Sequence, residues 1–148
     1  MKRKLIFDSE EIHNKAMFLS QEAFMCIVNG KEDQAIPLYE QAFELERQAA
    51  MSLLDKKDFE PIRSILFRSA AALAKKCYKY QDAEKMIGLG LAGNPPEDVA
   101  EELRELLDAV KKLHTAECPD RARSSCATGP RASTGARAAP PRCRPRSP

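Results

Sequence analysis

The chain has 148 residues, about the length of one domain, and a formal net charge of +2 at pH 7. Hydrophobic residues make up 43% of the composition and charged residues 31%, which is typical of a soluble globular protein. With 6 Gly, no Trp and 6% aromatic residues, the sequence does not favour a Gly-rich all-β fold with many turns.

The first predicted helix carries apolar residues at spacings of three and four along the N-terminal segment. Asp8 is its expected N-cap, and Glu11 three residues later would complete a capping box. Asn29 and Gly30 are expected to end it, because glycine readily adopts the left-handed conformation of a helix C-terminus.

The second and third predicted helices are separated by a polar break. Asp33 is expected to cap the second helix, which continues to about Leu54. Pro37 falls near its fourth position, so this helix either starts later or bends there. Asp58 is expected to cap the third helix, with Pro61 in its first turn.

The fourth and fifth predicted helices meet at a proline-containing turn. The fourth starts near Gln81 and closes at Gly93. Asn94 is then the expected cap of the fifth helix, with Pro95 at its first position. The apolar stripe of the fifth helix ends at Leu113.

The two predicted helix pairs share an order of small and large residues, 48 positions apart. The first set is Ala23, Gly30, Ala35, Tyr39 and Ala42, and the second is Ala71, Tyr78, Ala83, Ile87 and Gly90. This order resembles the tetratricopeptide repeat, a helix–turn–helix unit. The resemblance implies an all-α fold of antiparallel helical hairpins in a right-handed array, with a capping helix. Residues 88–97 are also similar to small bacterial helical proteins of unknown role.

The resemblance further implies that the first helix of each pair lines a concave groove. By position, the expected partner-binding residues are Gln21, Phe24, Arg68, Ser69, Lys75 and Lys76. Arg68 and Lys75 lie seven residues apart, so both cations could reach one extended acidic peptide. Phe24 would supply an apolar anchor. The alternative for any one of these residues is a solvated face.

The predicted function is that of a non-catalytic protein–protein interaction module, an adaptor or scaffold that binds a peptide or partner helix. The alternative is a nucleic-acid-associated or regulatory protein that uses a basic tail. Two repeats are marginal for a stacked array. The long second helix and the fifth helix, or a homodimer, must therefore complete the core.

No motif predicts catalysis, a cofactor or a metal site. Gly88-x-Gly90-x-x-Gly93 matches the dinucleotide fingerprint as a string, but it follows a helical pattern instead of a strand. Neither His13 nor His114 has a His or Cys four residues away. His13 is expected to be a solvated residue of a first helical turn.

The cysteines and the N-terminus favour a cytoplasmic location. Cys26 and Cys77 lie in helical patterns, where a free cysteine acts as a small hydrophobe. The sequence contains no CxxC pair that would indicate a zinc site or a disulfide framework. Only Leu5, Ile6 and Phe7 follow the basic start, which is too short for a secretory signal. No apolar run is long enough for a membrane span.

The last 35 residues differ sharply from the rest. Residues 1–113 contain 17 basic and 20 acidic side chains, whereas residues 114–148 contain 7 and 2. Residues 114–148 also lack Lys and every large apolar side chain. Such a segment cannot offset its ordering entropy by burial. The sequence therefore predicts a helical domain over 1–113 and a disordered Arg/Pro/Ala-rich tail over 114–148.

Two interpretations of this tail stay open. One is a basic arm for nucleic acid or acidic partners, although its seven arginines have no interleaved aromatics for stacking. Nucleic-acid binding is therefore not the favoured interpretation. The other is a non-functional extension read out of frame from about His114. The nucleotide sequence downstream of Leu113 distinguishes the two.

Overall fold

The computed structural model describes residues 2–117, except for the side chains of Lys2, Arg3 and Leu5. This part of the chain folds into five α-helices and one short 3-10 helix. They are α1 (Lys2–Val28), α2 (Glu32–Ser52), the 3-10 helix (Lys57–Phe59), α3 (Ile62–Lys76), α4 (Tyr80–Leu91) and α5 (Glu97–Glu117). No strand occurs within residues 2–117, so the fold is all-α, as the sequence predicts. The predicted tail from residue 118 onward lies outside the described residues.

Each helix packs against the next one along the chain, and α5 also packs against α3. Short connections, 29–31 and 77–79, reverse the chain direction, so α1 with α2 and α3 with α4 form antiparallel hairpins. Both connections use one left-handed residue, with φ of 71° at Gly30 and 62° at Tyr78. These two positions are the ones that the 48-residue spacing equates.

Small residues allow the paired helices to approach closely. Ala23 and Ala71, equivalent positions in the two hairpins, are both fully buried. Gly90 is a point of close helix approach, because an added Cβ would lie 3.1 Å from Leu103 Cδ1 and 3.2 Å from Phe67 Cβ. The predicted close packing at Gly90 is thus confirmed.

The predicted starts of α1 and α2 are wrong. α1 begins at Lys2, because Ile6 packs against the core and extends the helix upstream of Asp8. α2 begins at Glu32, and no side chain caps it. Pro37 lies inside α2, where burial of the surrounding face outweighs one missing hydrogen bond.

The start of α3 also differs from its prediction. Asp58 belongs to the 3-10 helix, and α3 starts at Ile62. Pro61 stands at the N-cap position and not in the first turn, and Oε2 of Glu60 before it accepts a hydrogen bond from the Ser64 amide at 3.1 Å. A carboxylate at this end of the helix is favoured by the helix dipole.

Helix α5 occupies Glu97–Glu117, so both its predicted ends require correction. Asn94 lies upstream of its first turn and is not its N-cap. At the other end, residues 114–117 belong to the helix and not to the tail. His114 Nδ1 lies 3.2 Å from an oxygen of Glu84 on α4, which fixes this last turn to the rest of the fold.

A buried arginine joins three parts of the fold. Arg63 is 2% exposed, and its guanidinium donates to the carbonyl oxygens of Leu54 at 3.0 Å and Leu89 at 2.8 Å. It also pairs with Glu60 at 3.2 Å. A Cβ at Gly93 would collide with this guanidinium, so glycine at that position makes room for the buried arginine.

Candidate functional site

A groove lies between α1 and α3, which run parallel because each is antiparallel to α2. The residues along it recur at intervals of seven: Ile6, His13 and Ser20 on α1, and Ile62, Ser69 and Lys76 on α3. Ile6 and Ile62 line a cavity at one end, while Ser20 and Lys76 line another at the opposite end. Each of these three α1 residues therefore lies beside the α3 residue that is 56 positions later in the sequence.

In the middle of this groove, a buried carboxylate of α2 links α1 to α3. Glu46 is 0% exposed, and its two oxygens lie 2.8 and 2.9 Å from His13 Nδ1. Burial raises the pKa of Glu46, while hydrogen bonds from His13 and Ser69 act in the opposite direction. The prediction of a solvated first-turn His13 is wrong, because His13 lies in the middle of α1 and contacts Glu46 of α2.

This cluster lacks the contacts of a nucleophilic catalytic site. In such sites the base accepts the proton of the nucleophile, and a carboxylate orients the base. Here the Ser69 hydroxyl and the His13 ring both bond to Glu46. The order nucleophile, base and orienting carboxylate is therefore not formed by these three residues, and the cluster links three helices.

The C-terminal end of α1 extends past its neighbour. α3 ends at Lys76, beside Ser20, so about 12 Å of α1 continues beyond it at 1.5 Å per residue. Three apolar side chains on this extension, Phe24, Met25 and Val28, are 57%, 54% and 62% exposed. Such a concentration of exposed large apolar residues is characteristic of an interaction surface.

Three of the six predicted partner-binding residues meet at this end of the groove. Gln21, Phe24 and Lys76 line a cavity of about 380 Å³, together with Ser20 and Met25. The structure therefore places the expected apolar anchor beside one of the expected cations. We call this cavity and the exposed end of α1 the α1 overhang site.

Lys76 is the charged group of the α1 overhang site. Its Nζ lies 5.0 Å from the centre of the Tyr39 ring, which is within cation–π range. Burial, and then the neighbouring charge of Lys75, lower the pKa of Lys76. Neither lysine forms an ion pair with a carboxylate in residues 2–117.

The other predicted residues have different surroundings. Arg68 forms an ion pair with Glu102 of α5, and Ser69 bonds to Glu46. Lys75 is half-buried and does not line the overhang cavity. The expected joint action of Arg68 and Lys75 on one acidic peptide is thus weakened, because α5 packs against α3 and supplies a carboxylate to Arg68.

A second apolar surface lies on the outer edge of the first hairpin. Phe18 is 61% exposed, and with Leu19 and Leu45 it lines a shallow cavity of about 530 Å³ between α1 and α2. Phe18 was not among the predicted partner-binding residues, although it and Met25 stand seven residues apart on α1.

The glycine string and the acidic residues form no cofactor or metal site in the part described. Gly88 and Gly90 lie inside α4, with no strand before them, so the strand–loop–helix arrangement of a dinucleotide site is lacking. No group of three His, Cys, Asp or Glu side chains within residues 2–117 could hold a metal ion.

Comparison with protein families, with curated proteins and with solved structures finds no match for the chain. The likeness to the tetratricopeptide repeat therefore rests on residue order alone. Among the helices of residues 2–117, none is both long and apolar enough to cross a membrane.

Proposed function

We propose that the protein is a non-catalytic interaction module whose α1 overhang site binds an amphipathic segment of a partner protein. The observation that carries this proposal is the meeting of Phe24, Met25 and Lys76 around one concave surface. Exposed aromatic and Met side chains are enriched at protein interfaces. A partner helix or peptide would bury them.

Charge defines the other half of the partner's chemistry. Lys75 and Lys76 stand in the last turn of α3, and neither pairs with a carboxylate in the described residues. An acidic side chain of the partner would form an ion pair with Lys76. Such a charge-assisted hydrogen bond is stronger than a neutral one. The proposed partner segment thus combines apolar side chains for Phe24 and Met25 with a carboxylate for Lys76.

The alternative function, nucleic-acid association through the basic tail, depends on residues 118–148. These lie outside the described residues, and no observation on residues 2–117 favours it. The exposed surface of α5 disfavours this function, because carboxylates repel phosphate groups. Its exposed carboxylates include those of Glu97, Asp98, Glu101 and Glu105.

Site-specific photocrosslinking in the full chain tests the proposal. A photoreactive benzoylphenylalanine in place of Phe24 is expected to give a discrete adduct with another protein in cells. Phe18 is the matched control position, because it is also a phenylalanine of α1 and has nearly the same exposure, 61% against 57%.

The charge requirement is tested by adding Lys76→Glu to the Phe24 crosslinker. The adduct is expected to weaken strongly with Lys76→Glu and to be absent with the crosslinker at position 18. The proposal is refuted by the same adduct at both positions, by an adduct that ignores Lys76→Glu, or by no adduct at position 24. An adduct of two copies of this chain would show a homodimer surface instead.

A further inference from the structure

A second cavity lies at the N-terminal end of the groove, away from the α1 overhang site. It measures about 320 Å³, at the lower end of the range for small-molecule sites. Ile6, Ile62 and Ile65 supply apolar walls, and Ser9, Glu10 and His13 are its polar residues. An apolar cavity with a few convergent polar groups is the usual form of a ligand site.

Among these polar residues, only His13 offers an unused hydrogen-bond donor. The Ser9 hydroxyl donates to the Ile6 carbonyl oxygen at 2.9 Å, and Glu10 is exposed at the rim. The His13 ring is bonded to Glu46 only through Nδ1, and its side chain is 30% exposed. Nε2 makes no hydrogen bond with any described residue.

The protonation of the His13–Glu46 pair determines whether Nε2 donates or accepts a hydrogen bond. A fully buried Glu46 favours a pair with no net charge, because an uncompensated buried charge is costly. Two arrangements satisfy this: imidazolium with carboxylate, or neutral imidazole accepting the carboxylic acid proton at Nδ1. In both arrangements Nε2 carries a hydrogen. His13 therefore presents a hydrogen-bond donor on the side of its ring away from Glu46.

We propose that this cavity binds a small, neutral, apolar molecule whose hydrogen-bond-accepting oxygen, of the ketone or ester class, meets His13 Nε2–H. The three isoleucines enclose its hydrocarbon part. An anionic head is disfavoured by Glu10 and Glu46, and none of the lining residues whose side chains the structure describes is a lysine or an arginine. An ammonium head is disfavoured because it has no lone pair to accept the Nε2 hydrogen. The proposal is independent of the α1 overhang site.

Three probes of similar size test it: 2-heptanone, hexanoate and hexylammonium. Each is titrated into the full-length protein, labelled for NMR at isoleucine methyl groups and histidine rings. 2-Heptanone is expected to shift the Ile62, Ile65 and His13 signals and to bind about tenfold more tightly than either charged probe, which is the value of one hydrogen bond.

Two substitutions of matched residues locate the binding. Ile62→Phe fills the cavity and is expected to abolish 2-heptanone binding. Leu113→Phe is the control, because Leu113 and Ile62 are 41% and 40% exposed and Leu113 lies on α5. The binding of 2-heptanone should be unchanged in Phe24→Glu, because Phe24 belongs to the α1 overhang site and does not line this cavity.

Glu46→Gln tests the role of the pair itself. A glutamine amide that accepts the Nδ1 hydrogen leaves a lone pair on Nε2, whereas one that donates to Nδ1 keeps the hydrogen on Nε2. The ¹⁵N shifts of the His13 ring show which form is present. The form with the Nε2 lone pair is expected to lose the preference for 2-heptanone over hexylammonium. The proposal is overturned if hexanoate binds best, if no probe shifts the isoleucine signals, or if Ile62→Phe and Leu113→Phe behave alike. An unchanged preference in a Glu46→Gln protein whose Nε2 carries no hydrogen overturns the donor role of His13.

Discussion

His13 on α1 and Glu46 on α2 form a hydrogen-bonded pair in which the carboxylate is fully buried, with Nδ1 only 2.8 Å from Oε1. The two residues are 33 positions apart. Glu46 also accepts a hydrogen bond from Ser69 of α3. The three side chains therefore connect the three helices that form the groove. The groove is thus built around a polar contact as well as around packed alanines.

Removing one partner of this pair should destabilise the fold strongly. His13→Ala leaves Glu46 buried without its main partner, so we expect the free energy of unfolding to fall by about 3 kcal/mol. Urea unfolding measures the change. His114→Ala is the control, because its partner Glu84 keeps 35% side-chain exposure, and we expect a loss below about 1 kcal/mol. Equal losses would contradict the structural role of the buried pair.

The stability of the protein should depend on the ionisation of Glu46. Burial raises the pKa of this carboxyl, and the facing groups, His13 from α1 and Ser69 from α3, only partly oppose this. The folded chain then retains a proton that the unfolded chain releases, so this contribution is complete below the unfolded pKa and is lost as pH rises through the folded pKa.

Glu46→Gln removes that titration. The difference in unfolding free energy, wild type minus Glu46→Gln, is expected to decrease as the pH is raised from acidic to neutral. Chemical denaturation of both proteins over this range gives the difference directly. A difference that is constant or that grows with pH would show that the carboxyl has no raised pKa in the folded chain.

Arg63 should be far more important for stability than an arginine in an exposed ion pair. Arg63→Ala leaves the carbonyl oxygens of Leu54 and Leu89 without the guanidinium donor and removes the cation that pairs with Glu60. We expect a loss of about 3–4 kcal/mol in urea unfolding. Arg47→Ala, which removes an exposed pair with Glu44, should cost below about 0.5 kcal/mol. Similar losses for the two variants would contradict the buried network.

Two glycines of α4 should respond oppositely to alanine. A Cβ at Gly88 meets nothing within 4 Å, so Gly88→Ala should stabilise the helix by about 0.5–1 kcal/mol. A Cβ at Gly90 would lie 3.2 Å from Phe67 Cβ, an atom that cannot move without its backbone. We expect Gly90→Ala to be about 1–2 kcal/mol less stable than Gly88→Ala. Thermal unfolding compares them, and a Gly90→Ala protein as stable as Gly88→Ala would refute the close approach.

Local sequence signals predicted the hairpins well. The 48-residue spacing identified Gly30 and Tyr78 as equivalent turn positions, and both are left-handed. It also identified alanines such as Ala23 that become buried between helices. The start of α1 could not be read from its capping residues, because packing of Ile6 on the core extends the helix upstream of Asp8.

The candidate site was only partly predictable. Phe24 and Lys76 were expected on the groove and lie together there. The pairing of Arg68 with Glu102 depends on where α5 packs, which no short-range pattern reports. The burial of Glu46 beside His13 likewise depends on the packing of α1 against α2, and neither residue stands in a motif.

The alignment of α1 with α3 leaves Phe24 and Met25 exposed beyond the end of α3. A short bismaleimide applied to cysteine pairs tests it in a full-length protein whose native cysteines are replaced by serine. Because Ser20 lies beside Lys76, we expect rapid intramolecular crosslinking of Ser20→Cys with Lys76→Cys. Val28→Cys with Lys76→Cys, the pair that the 48-residue spacing would place side by side, should crosslink poorly. Preferential crosslinking of the second pair would contradict the account.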